Sequence, residues 1–262
     1  SLERLKVELR FWKLLKKEVE IEEISIRNAT FDTRDFIDGV VVSGHLGELF
    51  LESHGVVFSP ETARINEFSV KNTDVSLTLG SIESTDTVPS EPLYWKILLD
   101  EIDFENVGFA LKMPQDSLFV RTMLPKTTLK NGVIDLKEAS YYVKSFGIDN
   151  AELAYGPKEE LFLQQIGLQL DSIYYCGKDI RANIEEFVLK ERSGLELVST
   201  EGRIVSDSVL IEIPKFTMKT TASSLDLQTK IGWDVLEMKK TGVLSAKINA
   251  EIGKGDVAKI LG

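Results

Sequence analysis

Apolar and polar residues alternate along most of this chain, as they do in strands that bury one face of a sheet. The alternation is regular at Val209–Ile213, Phe216–Met218 and Leu225–Leu227. Runs of this kind recur about every ten residues after Gly156, which is typical of all-β proteins. The pattern therefore predicts strands for at least half of the chain and helix for less than about a sixth of it.

One nine-residue phrase recurs five times. Four copies have two apolar residues separated by one residue, then an Asn two places on, then an apolar residue three places beyond; a looser copy has Thr127 in the first apolar place. The copies begin at Glu23, Glu67, Glu101, Lys126 and Ser145, and their Asn residues are Asn28, Asn72, Asn106, Asn131 and Asn150. Because Asn tolerates a positive φ, these residues are interpreted as backbone devices and not as ligands.

We interpret each phrase as a β-hairpin with the Asn in a two-residue turn. The expected facing pairs are Ile26 with Phe31, Val70 with Val75 and Phe104 with Phe109, and in the next pairs outward Phe68 with Leu77 and Ile102 with Leu111. Only Asn131-Gly132 has the residues that a type I′ turn prefers, so the other turns are expected to be bulged. The unequal spacing of the Asn residues excludes a solenoid of fixed period and predicts a meander.

Three segments outside the repeated phrases have predictions of their own. Leu5–Phe11 is predicted as a strand followed by a turn at Trp12–Lys17, with a basic amphipathic helix as the alternative. Ser81–Pro92 is polar, holds two of the seven prolines and is predicted as a loop within an otherwise single unit spanning 1–262. Asp256 is predicted to N-cap a helix near the end of the sequence.

The composition and the missing motifs argue against several functional classes. A formal net charge of −11 argues against nucleic-acid binding, which needs a basic face. No stretch of about 18 apolar residues occurs, so no transmembrane helix is expected, and no signal peptide precedes the patterned sequence. The lone Cys176 is expected to be buried or half-buried, and His45 and His54 are expected at the surface or in turns. No catalytic or nucleotide-binding motif is present, so we expect neither an enzyme, a metal site nor a cofactor.

Several segments resemble AsmA/TamB-like proteins, which are long periplasmic proteins of Gram-negative bacteria. The first is Leu5-x-Val7-x-Leu9 followed by Leu14–Ala29, in the family's order of strand, short Leu-Leu turn, strand and polar turn. The region from Leu93 through Glu101–Phe109 and Leu129–Leu136 to Tyr155 is similar to TamB-like proteins of the Bacteroides type. Leu244–Val257 is similar to another such unit. The family's membrane anchor has no counterpart here, so the resemblance implies a fragment of a longer protein.

The resemblance implies an elongated antiparallel β meander curled into an open groove with an apolar inner face. It also implies a periplasmic location, with the full-length protein anchored in the inner membrane. The implied role is in outer-membrane biogenesis, where phospholipid acyl chains move along the groove between the two membranes. The alternative role is a scaffold or chaperone that assists an outer-membrane β-barrel assembly protein by β-augmentation.

Residues of the repeated alternation are the expected lipid contacts. They are Phe68, Val70, Ile102, Phe104, Phe146, Ile148, Phe187, Leu189, Phe216 and Met218. Two alternatives stay open at this point. A two-sheet sandwich would show the same alternation, and aromatic residues such as Trp95 and Trp233 would also suit a carbohydrate-binding surface.

Overall fold

A computed structural model describes residues 1–9, 18–33, 39–58, 61–80, 94–115, 117–238 and 242–261. Strands account for 79% of them, and only two short helices are present among them. The prediction of an all-β protein is therefore confirmed.

The described strands are long. In chain order they are β1 (Leu2–Leu9), β2 (Glu18–Asp32), β3 (Val40–Phe58), β4 (Glu61–Leu79), β5 (Lys96–Met113), β6 (Leu118–Asp135), β7 (Ser140–Tyr155), β8 (Leu161–Cys176), β9 (Asp179–Glu191), β10 (Glu196–Ser206), β11 (Leu210–Thr220), β12 (Ser224–Gly232) and β13 (Leu244–Glu251). The helices are α1 (Trp233–Leu236) and α2 (Lys254–Leu261).

All thirteen strands belong to one sheet, in which the order in space equals the order in the sequence. The sheet is open and curled, because the edge strands β1 and β13 do not pair with each other. Every neighbouring pair is antiparallel except β4 and β5, where Thr62 pairs with Lys96 and Thr78 with Lys112. The predicted meander is confirmed apart from this one parallel step. The predicted loop at Ser81–Pro92 lies outside the described residues.

No second layer covers the sheet in the described part of the chain. The accessible surface is 16991 Å², whereas a folded monomer of 29.4 kDa is expected to expose roughly 11,500 Å². Among the described residues only four apolar ones are buried, namely Val70, Leu99, Ala151 and Ala154. The alternation therefore does not come from two sheets packed face to face, and the sandwich alternative is excluded.

The five Asn residues have a positive φ but do not form hairpin turns. Their φ values lie between 49° and 55°, so their interpretation as backbone devices is confirmed. Each one, however, lies inside a single long strand; Asn72, for example, is in the interior of β4. The hairpin prediction is wrong, and so is the type I′ turn at Asn131-Gly132, because the strand pairing continues on both sides of each Asn.

The predicted facing pairs are consequently wrong as well. Val70 and Val75 lie on the same strand, and Val70 pairs instead with Leu49 of β3 and Phe104 of β5. Likewise, Ile26 pairs with Leu49 and not with Phe31. The same correction applies to Phe104 with Phe109, Phe68 with Leu77 and Ile102 with Leu111, each of which joins two residues of one strand. These apolar residues do form cross-strand pairs, but with residues of neighbouring strands and not with residues of their own phrase.

A positive-φ residue changes which side chains share a face. Phe68 and Val70 precede Asn72 at even positions, whereas the apolar residues Val75 and Leu77 follow it at odd positions. In an unbroken extended strand the two sets would lie on opposite faces. We infer that the positive φ reverses the alternation, so that both sets lie on the same face.

Asn131 shows this reversal directly. A Cβ placed on Gly132 would lie 3.2 Å from Leu129 Cδ2 and 3.3 Å from the Leu99 side chain. Gly132 and Leu129 are three residues apart and still share a face, which regular alternation forbids.

The five Asn residues and Ser172, all with a positive φ, lie in two rows across the sheet, together with residues of neighbouring strands that have no positive φ. In the first row, strand pairing sets the residues beside one another in the order Asn28, Gly47, Asn72, Asn106, Pro125 and Asn150. In the second row the order is Asn66, Asp100, Asn131, Lys144 and Ser172. On each strand from β4 to β7 the two rows are six residues apart. In each of these strands the positive φ lies at whichever row comes later in the sequence, so Asn72, Asn106 and Asn150 are in the first row and Asn131 is in the second.

The chain ends differ from the predictions in detail. The first strand is Leu2–Leu9, three residues earlier than predicted, and residues 10–17, which include the predicted turn, lie outside the described residues. A helix does form near the end, but Asp256 lies in its first turn and not at the N-cap. Its buried carboxylate instead accepts hydrogen bonds from Ser223 and Thr220, which attaches α2 to the β11–β12 turn.

Candidate functional site

All ten residues expected to contact lipid lie on one face of the sheet, which we call the apolar face. Phe68 pairs with Ile102 and Val70 with Phe104, across the parallel step. From there cross-strand pairing links the residues strand by strand to Phe146 and Ile148 on β7, Phe187 and Leu189 on β9, and Phe216 and Met218 on β11. The structure thus brings together residues that are up to 150 positions apart in the sequence.

The strands between the predicted ones supply the rest of this face. Leu129 lies between Ile102 and Phe146, and Leu168 between Ile148 and Phe187. These strands show the same alternation in the sequence, but they lack the Phe-containing pairs on which the prediction was based. The additional residues of this kind are Ile26, Leu49, Leu51, Leu129, Leu168, Leu170, Ile184, Leu225, Leu227 and Ile248.

The apolar face is packed within its own plane but is not covered from above by the described residues. The rings of Phe68 and Phe104 meet edge to face, with centroids 6.2 Å apart. A Cβ on Gly202 would lie 2.7 Å from Phe216 Cδ2, so this glycine leaves room for the Phe216 ring. Ile248, on the edge strand, is 63% exposed. Neighbouring strands lie about 4.8 Å apart, so the face from β2 to β13 is roughly 50 Å long.

Two hydroxyl groups are buried in this face without a hydrogen-bond partner. Thr127 pairs with Phe104 and Ile148, and Thr200 pairs with Met218. Their Oγ1 atoms are buried, and no hydrogen bond reaches them. An unpaired buried hydroxyl costs about 1–3 kcal/mol, so these positions weaken the sheet.

The opposite face is polar and carries cross-strand ion pairs. Lys130 Nζ lies 2.8 Å from Glu101 Oε1, and Lys71 Nζ lies 3.2 Å from Glu105 Oε2. The hydrogen bond from Lys130 to the Glu101 carboxylate raises the pKa of the lysine. Exposed pairs of this kind each contribute little to stability, and their main effect is to keep this face hydrated.

Two open depressions lie on the polar face. One, of about 350 Å³, spans β3 to β8 over small residues such as Gly108 and Ala110 and contains none of the ten predicted residues. The other, of about 430 Å³, lies along the parallel step and is lined mainly by polar side chains such as Glu67, Ser69 and Lys71. Phe104 borders it, and neither depression contains any other of the ten predicted residues.

The described residues contain no group of three or more His, Cys, Asp or Glu side chains placed to hold a metal ion. Cys176 is half-buried, as predicted, and its thiol lies 3.7 Å from the Glu138 carbonyl oxygen. His54 is at the surface, as predicted, where its Nδ1 lies 2.7 Å from Asn66 Oδ1.

No protein-family model and no curated protein matches this chain. Among the described residues, no helix is both long enough and apolar enough to cross a membrane.

Proposed function

We propose that this protein is a non-enzymatic segment of an AsmA/TamB-like envelope protein, whose apolar face carries phospholipid acyl chains between the inner and outer membranes. The proposal places the protein in the periplasm, with the full-length form anchored to the inner membrane. The ten predicted residues would contact acyl chains, and neither a cofactor nor nucleic acid takes part.

The uncovered apolar face is the observation that carries the proposal. Soluble monomers rarely leave a continuous apolar surface of more than a few hundred Å² open to water. Here the face crosses twelve strands, from Ile26 on β2 to Ile248 on β13, with no second layer in the described part of the chain. A long, narrow, open surface suits flexible hydrocarbon chains better than it suits a compact ligand, which needs a concave pocket.

A second candidate function is supported by the open edge of the sheet. All eight residues of β13 are exposed, and the strand pairs with β12 only. Such an edge can accept a strand from another protein by β-augmentation. This arrangement supports the scaffold or chaperone role toward an outer-membrane assembly protein.

Native mass spectrometry of the purified protein distinguishes the two functions. A lipid conduit should co-purify with phospholipid, seen as adducts of phospholipid mass that organic extraction removes. Phe146→Glu and Met218→Glu, which place a charge on the apolar face, should lower the adduct signal. Lys71→Glu changes the charge on the polar face and is the matched control. Absence of adducts from the unmodified protein, even after incubation with short-chain phospholipid, would contradict the lipid proposal.

A further inference from the structure

Five large apolar side chains are exposed together at one corner of the sheet. Val209 is 65% exposed, Leu236 48%, Met238 92%, Val243 54% and Leu244 65%. We call this group the apolar tip. A single exposed apolar residue needs no explanation, but a contiguous group of this kind marks an interaction site.

Main-chain hydrogen bonds hold the tip together. Trp233 N donates to Val209 O at 3.0 Å, which joins α1 to the β10–β11 turn. Gly232 N donates to Val243 O at 2.7 Å, which joins the end of β12 to the chain entering β13. The tip is therefore built from three neighbouring segments and has a defined shape.

Trp233 is fixed in place within the tip. Its indole Nε1 donates to Asp207 O at 2.7 Å, so the one polar atom of the ring is already paired. Lys178 Nζ lies 5.0 Å from the ring centroid and 2.7 Å from Glu237 Oε1. A tryptophan of this kind, with an apolar body and a satisfied polar end, suits the boundary between water and lipid.

The tip continues the apolar face. Leu244 pairs with Ile231 of β12, and Ile231 pairs with Ile211 of β11. The tip thus lies where the apolar face reaches the β13 edge. Its side chains also project from turns at the ends of strands, a form that can enter a lipid surface without opening the sheet.

The described charged side chains of the tip and beside Trp233 are mostly acidic. They are the carboxylates of Asp207, Asp234 and Glu237 and the ammonium group of Lys178. Acidic surroundings give the tip no attraction to an anionic surface, so apolar burial has to provide the binding free energy.

We propose that the apolar tip inserts into the headgroup boundary of a zwitterionic phospholipid membrane and holds the β13 end of the apolar face against it. This inference rests on the proposed function, because it gives the lipid a place of entry. The occupant is a bilayer surface, whereas the apolar face itself takes single lipid molecules.

The test is flotation of the full chain with phosphatidylcholine vesicles, using paired variants. Leu236→Ser with Met238→Ser removes two exposed apolar side chains from the tip and should weaken vesicle binding by about tenfold or more. Met123→Ser is the control, because Met123 is 40% exposed on the polar face, where it lines the 350 Å³ depression on strands far from the tip. The control should bind vesicles like the unmodified protein, and moderate salt should not alter binding.

A second readout locates the contact. Brominated phosphatidylcholine should quench part of the tryptophan fluorescence, and Trp233→Phe should remove that part. Bound phospholipid, measured by native mass spectrometry, should persist in the tip variant. If the unmodified protein held phospholipid but did not float with vesicles, the tip proposal would be overturned and the proposed function would stand. Equal loss of flotation in the tip and control variants would also overturn it, and absence of both vesicle binding and bound phospholipid would contradict both proposals.

Discussion

Replacing Asn106 by Ala and by Gly tests the role of the positive-φ residues. Asn106 has φ 53° in the interior of β5, and its Nδ2 donates to Asn72 Oδ1 at 3.2 Å. Ala removes both the tolerance of a positive φ and the hydrogen bond. Gly removes only the hydrogen bond, because it adopts a positive φ without steric strain.

The two replacements should differ by a measurable amount. Ala in the left-handed region costs about 1–2 kcal/mol, and loss of the exposed hydrogen bond adds about 0.5 kcal/mol. Gly loses the same hydrogen bond and about 0.5–1 kcal/mol through the greater freedom of the unfolded chain. We therefore expect Asn106→Ala to lower the free energy of unfolding by about 1 kcal/mol more than Asn106→Gly.

The neighbouring Glu105 provides the control because it has no positive φ. At such an extended position Gly should be worse than Ala, by about 0.5–1 kcal/mol. The order of Ala and Gly should thus reverse between two adjacent residues of one strand. Urea unfolding followed by far-UV circular dichroism measures all four variants. If Gly were the more destabilising replacement at both positions, the backbone role of Asn106 would be refuted.

Three further predictions follow from the two faces and the final helix. Phe146→Glu and Met218→Glu should leave the melting temperature nearly unchanged while lowering phospholipid binding, because the apolar face is open; a collapsed melt for both would contradict this. Thr127→Val should raise the free energy of unfolding by about 1 kcal/mol in urea, because the Thr127 Oγ1 is buried and unpaired, whereas destabilisation would imply an undetected partner. Hydrogen bonds from the Ser223 and Thr220 hydroxyls lower the pKa of Asp256 below its ordinary value of 3.8. Its carboxylate therefore contributes stability above that value, and this contribution is lost as the pH falls through the lower, folded pKa. Asp256→Asn should destabilise the protein at pH 7 and flatten its stability profile in acid; an unchanged acid profile would count against the hydrogen-bonded carboxylate.

The sequence predicted the strands and the unusual backbone at the Asn residues, but it did not predict what that backbone does. A phrase such as Phe68-Ser69-Val70-Lys71-Asn72 fits a hairpin turn and a reversal within one strand equally well. The choice depends on whether Val70 pairs with Val75 or with Leu49, and that partner lies in another part of the chain. Local alternation does not contain this information.

Two other features depend on distant contacts. The parallel pairing of β4 with β5 cannot be predicted from the sequence of either strand, because both have the alternation of an antiparallel strand. The apolar tip forms because main-chain hydrogen bonds and strand pairing bring Val209 and Leu244, which are distant in the sequence, to the two sides of α1. By contrast, the ten residues of the apolar face could be chosen in advance, because alternation determines which residues of one strand share a face.

The strictly sequential strand order has a consequence for how this protein folds. The extensive contacts of each described strand are with the strands immediately before and after it. Such a chain behaves as a nearly one-dimensional array, in which stability is a sum of strand terms and nearest-neighbour interface terms. Folding can begin at any hairpin and propagate in both directions, and the short outer strands β1 and β13 are the natural points of fraying. Strands can also be gained or lost at either edge without repacking the interior, so the length of the apolar face can change during evolution while its cross-section is preserved.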